Sequence, residues 1–133
     1  MPTRLWNPDG IAAPASRYSH AALTTGATRW LHLSGQVGVS PDGKVADGLA
    51  AQLDQCLANV AAGLAGAGMT KANLVKLTVY VTDPSPGAVA TYRARRDAFI
   101  GDGPAPAATF LVVAALASPA LVAEVDAVAA SDD

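Results

Sequence analysis

The sequence predicts an α+β domain: one mixed sheet with two helices on one face. Three observations carry this. Two segments repeat apolar residues at helical spacing, and several shorter ones alternate or run apolar in the manner of strands. The order is strand, strand, helix, strand, helix, strand, strand, too few helices for alternating βα units and too many strands for a bundle. The 133 residues fit a single domain, 1–133, with no visible linker or repeat.

Taken in order, residues from about His20 to Gly26 read as a short strand. Arg29 to Val37 read as a second, with Leu31 and Leu33 on one face and Trp30, His32 and Ser34 on the other. Ser40-Pro41-Asp42-Gly43-Lys44 is turn chemistry. Asp47 is placed to cap the next segment, where Leu49, Leu53, Leu57, Val60 and Leu64 form one apolar stripe that ends at Gly66 and Gly68. Val75 to Thr82 alternates strictly and is the clearest strand. Ser85 as N-cap and Pro86 as first helical residue then start a second helix carrying Val89, Tyr92, Arg96 and Phe99. Gly101 to Pro106 is a stiff loop, followed by strands near Thr109–Leu116 and Leu121–Ala129. A sheet covered by helices on one side leaves its other face open, and oligomerisation is the economical way to cover it.

Composition narrows the function. Hydrophobic residues make up 51% of the chain, which excludes intrinsic disorder. Charged residues reach only 15% against roughly 25% in ordinary soluble domains. About thirty residues are alanine, and a net charge of −2 offers no electrostatic basis for nucleic acid or an anionic membrane. No run of apolar residues is long enough for a membrane span, and the N-terminus lacks the pattern of a signal peptide. The single cysteine, Cys56, lies inside the first helix as a small buried filler and fits a reducing cytosol. No His, Cys and carboxylate spacing forms a metal site. His32 reads as a packed core histidine. Arg93, Arg95 and Arg96, beside Asp97, read as a solvated helix surface. Glu124 and Asp126, two apart on a strand, share one face.

Five pieces in order carry a family resemblance: Tyr18-Ser19-His20-Ala21; Leu33-Ser34-Gly35-Gln36; Ala51-Gln52 through Leu57-Ala58-Asn59-Val60 to Ala67-Gly68; Val75 to Asp83; and Glu124 to Ala129. From about Tyr18 to Ala129 the chain resembles the RidA/YjgF proteins. The resemblance implies a chorismate-mutase-like fold assembling as a homotrimeric barrel, with small-molecule clefts between subunits and no metal or organic cofactor. In its deaminase members the family hydrolyses reactive enamines and imines of amino acids to keto acids and ammonia. Older labels attach ribonuclease activity.

Carried over residue by residue, the resemblance makes Tyr18, Ser34 and Gly35 cleft lining and Glu124 the carboxylate that orients or activates water. The family's Pro-Ala-Arg-Ser/Thr motif reads Pro106-Ala107-Ala108-Thr109, so the arginine that would clamp a substrate carboxylate is Ala108. An asparagine expected early in the second helix is absent as well. Arg17 is the nearest cation by sequence to take the missing role. Two readings follow from the resemblance: a divergent imine or enamine hydrolase with altered substrate range, or a non-catalytic binding trimer. Ribonuclease is third, for want of a basic groove or a histidine pair.

Overall fold

The computed structural model describes residues 2–133. Its elements are β1 (Thr3–Trp6), β2 (Ala21–Thr24), β3 (Arg29–Val37), α1 (Leu49–Gly66), a 3-10 turn at Lys71–Asn73, β4 (Leu74–Val81), α2 (Pro86–Ile100), β5 (Ala107–Val112) and β6 (Ala123–Ser131). Four strands form a mixed sheet in the order β3-β6-β4-β5. The β4–β5 pair is parallel, joined by the crossover through α2, and the other pairs are antiparallel. The α+β expectation, with two helices on a mixed sheet, therefore holds.

Differences lie at the edges. The strand expected from His20 pairs with β1, which lacks a readable pattern, in a separate two-stranded ribbon. The strand expected to reach Leu116 stops at Val112, while the closing strand runs on to Ser131. Asp47 does not cap α1. Gly48 occupies the N-cap with φ 88°, a conformation that favours glycine, and no side chain caps there. Ser85 and Pro86 do open α2, although the serine hydroxyl makes no capping bond. The C-terminus of α1 is closed by two backbone bonds, from Gly68 N–H to Ala65 O at 3.0 Å and from Met69 N–H to Leu64 O at 2.8 Å. That pairing satisfies carbonyls which the helix end would otherwise leave orphaned.

The core follows the two periodicities. Leu53, Cys56, Leu57, Val60 and Leu64 line one side of α1 and are buried against Leu77, Val79 and Val81 of β4 and Val125, Ala127 and Ala129 of β6. Alternate positions on β6 and β4, including Glu124, Asp126 and Tyr80, point to the other face, which no helix covers. Trp30 is 50% exposed on β3, and Leu111 at the end of β5 is 43% exposed. His32 is not a core residue: it is exposed and stacks on Trp30 at 6.5 Å between ring centroids. Its strand side is the uncovered one. No helix among the described residues is long and apolar enough to cross a membrane.

Candidate functional site

Tyr18 and Ala108 come together. Ser19 ties the segment before β2 to the start of β5: its N–H donates to Pro106 O at 3.1 Å and its hydroxyl to Ala105 O at 2.6 Å. Tyr18 is thereby held beside Ala108, and both line a cavity of about 370 Å³ between α2 and β5. The Tyr92 and Phe110 rings stack at 4.7 Å as part of its apolar lining. Burial pushes the Tyr92 phenol above its ordinary value, opposed by the positive charge of Arg96. His20 meets Tyr18 edge-on at 5.2 Å, and its Nε2 lies 2.6 Å from Ala12 O.

Ser34, Gly35 and Glu124 form a second group. The β3–β6 register shifts between Leu33 and Gln36, so the Ser34-Gly35 step is a bulge. Glu124 pairs with Val37 on one side and Tyr80 on the other. Its carboxylate lies over Gly35 so closely that a Cβ there would come within 2.0 Å of Oε2. Only glycine admits the carboxylate in that position. Beside it, the Tyr80 hydroxyl donates to Asp126 Oδ2 at 3.0 Å. That bond holds the phenol above its ordinary value, with burial and the charges of Asp126 and Glu124 adding to it. Asp126 is thus engaged with Tyr80, and Glu124 is the carboxylate at the bulge.

Neither Glu124 nor Gly35 lines the cavity that holds Tyr18 and Ala108. The physical reasons are the sheet order, with β4 between β5 and β6, and the strand pleat. Ala108 pairs with Leu77, whose side chain faces the helices, whereas Glu124 belongs to the opposite face.

The cations sit where sequence reasoning did not put them. Arg17 donates to Gly103 O at 2.6 Å and does not line the cavity. Arg93 and Arg96 do. Far from being solvated, Arg96 is 2% exposed. It lies over the Tyr92 ring at 5.2 Å and is bonded to Asp97 and to the Ser16 hydroxyl. The i, i+4 spacing from Tyr92 to Arg96 was the available signal, because it sets both on one helix face. Among the described residues, no group of three or more His, Cys, Asp or Glu side chains gathers as a metal site.

The comparisons agree with this architecture. A Rid-family protein of unknown function, YyfB from Yersinia pestis, superposes with a TM-score of 0.91 at 36% identity, covering 98% of this chain and 100% of that one. RidA from the Antarctic bacterium Psychrobacter sp. PAMC 21119 gives 0.71 at 26% identity, covering 96% and 99%. A RutC family protein of Aquifex aeolicus is 41% identical over 71 residues, which is 53% of this chain and 54% of that protein. The match to that curated relative therefore spans about half of its length. The family model described as Endoribonuclease L-PSP matches residues 10–131, and with a Rid protein as full-length structural relative this chain belongs to the RidA/YjgF family.

Proposed function

We propose that this chain is a divergent hydrolase of imine- or enamine-like small molecules, working in clefts between the copies of a homotrimer in the cytoplasm. The observation that carries the reading is the Glu124 carboxylate held over Gly35 at the β3 bulge, on the sheet face that no helix covers. Its separation from the cavity of Tyr18 and Ala108 within one chain supports a cleft completed by a second copy. There the open face of one copy meets the cavity of the next.

In this reading Tyr18, Ser34, Gly35 and Ala108 line the cleft. Glu124 accepts a proton from water as the water oxygen bonds to the imine carbon, and the C=N electron pair moves to nitrogen. Glu124 returns that proton to nitrogen, and the resulting carbinolamine collapses to a carbonyl as its hydroxyl proton passes to the nitrogen, which leaves as ammonia or an amine. An enamine enters this sequence as its imine tautomer. Ala108 offers no guanidinium from β5, which alters the substrate range. Losing such a charged contact costs on the order of 2–5 kcal/mol, so the short enamine 2-aminoacrylate is expected to be a poor substrate.

The second reading, a non-catalytic binding trimer, is favoured by the same Ala108. Ribonuclease activity is a weaker reading, since the net charge is −2 and the two histidines lie apart, His20 at the cavity and His32 on the sheet face. The test is ammonia release from freshly generated 2-aminoacrylate and from neutral imines, against a buffer blank. Acceleration is expected to fall at least tenfold in Glu124→Gln and, with 2-aminoacrylate, to rise in Ala108→Arg. Rates equal to the blank for all three proteins would replace the hydrolase with the binding trimer.

A further inference from the structure

Three arginines follow Tyr92 on α2, and their partners differ. Arg95 turns to α1, where it meets Asp54 at 3.4 Å. Arg96 is neutralised: its Nε lies 3.1 Å and a terminal nitrogen 3.0 Å from Asp97 Oδ1, and another donates to Ser16 Oγ at 3.1 Å. Arg93 is exposed, lines the cavity and makes no side-chain hydrogen bond or ion pair among the described residues. Among the described residues of one copy, no aspartate or glutamate lines the cavity. Within one copy, an unpaired guanidinium therefore stands over a pocket whose lining is otherwise neutral or internally paired, which leaves it free for a ligand in the cleft. The stacked Tyr92 and Phe110 rings, with Val89 and Ala108, supply the apolar part. At about 370 Å³ the cavity suits a small molecule.

We propose that Arg93 anchors the carboxylate of a small ligand with an apolar or aromatic body in this cavity, supplying from the helix wall the cation that the strand wall lacks at Ala108. The inference rests on the reading of this cavity as part of the ligand cleft. A guanidinium offers a carboxylate two parallel charge-assisted hydrogen bonds, and the aromatic lining takes the remainder of the ligand. Moving the cation from β5 to α2 turns the bound anion toward the helix. Ligand preference then shifts away from the smallest substrates toward those long enough to span the pocket.

The probes are phenylacetate and its neutral counterpart phenylacetamide, titrated calorimetrically into the full chain. Phenylacetate is expected to bind about tenfold to a hundredfold more tightly than the amide, the usual worth of a hydrogen-bonded charged contact. Arg93→Gln removes that preference and leaves the affinity for phenylacetamide and the unfolding midpoint unchanged, while Arg93→Lys retains part of it. A preference that survives in Arg93→Gln overturns the assignment. Equal binding of both probes to the unaltered chain overturns it too, yet leaves the cavity as a ligand site. Binding of neither overturns it, and the hydrolase reading is then decided separately by the Glu124→Gln comparison.

Discussion

At the scale of single residues, a hydrogen atom at position 35 decides where a carboxylate sits. In Gly35→Ala the added methyl meets the carboxyl end of Glu124, a flexible side chain that can swing aside. The expected outcome is a folded protein with a small loss of stability and a loss of hydrolysis as severe as in Glu124→Gln. Thermal unfolding beside the ammonia assay separates the two effects. Cys56 makes a different kind of prediction. Burial, and then the charge of Glu124, push its thiol from 9.0 up to about 12. The folded state therefore favours the protonated thiol. The stability this contributes is whole below pH 9 and is lost as pH rises toward 12. Stability against urea is expected to fall as pH rises from 9 to 10, and Cys56→Ala is expected to reduce that fall. A thiol reagent at pH 8 should label the native chain no faster than it unfolds.

At the scale of elements, Gln52 joins α1 to the approach to β6. It is 2% exposed, and its amide donates to Ala46 O at 3.1 Å and Ala120 O at 2.9 Å while accepting from Val122 N–H at 2.8 Å. Val122 stands two residues before Glu124, so this one side chain steadies the start of β6. Gln52→Leu leaves buried backbone groups without partners and is expected to cost about 2–4 kcal/mol, measured by denaturant unfolding. The elements with strong periodicity were readable beforehand. The leucine stripe of α1 and the alternation of β4 each state a buried face directly. β1 was not readable, because Thr3-Arg4-Leu5-Trp6 is too short to alternate recognisably and forms only by pairing with β2. The α1 cap was misread because Asp47 has the right side chain, whereas the backbone turn at Gly48 requires a positive φ.

At the scale of the whole molecule, the proposed trimer answers an imbalance visible in one copy. Helices cover one sheet face, and on the other Trp30 of the edge strand β3 is half-exposed, as is Leu111 of the opposite edge strand β5. Sedimentation equilibrium is expected to give three times the 13.3 kDa chain mass, and Trp30→Asp to dissociate the assembly by placing a charge in an apolar contact. A monomer in the unaltered chain would sink the shared-cleft reading with it. The sequence by itself determined the fold class, the two helices and the family, because periodicity and ordered motifs are local records of which face is buried. Through the family resemblance it also raised the expectation that Ala108 stands at the position of a cation. Only the tertiary structure decided which arginine stands nearby. Arg17 is close to Tyr18 along the chain but bonds to Gly103, while Arg93 reaches the same cavity across a crossover that sequence distance does not report. Likewise, sheet order and register separate Glu124 from Ala108: β4 lies between their strands, Glu124 is level with Leu111 rather than Ala108, and the pleat turns the two residues to opposite faces.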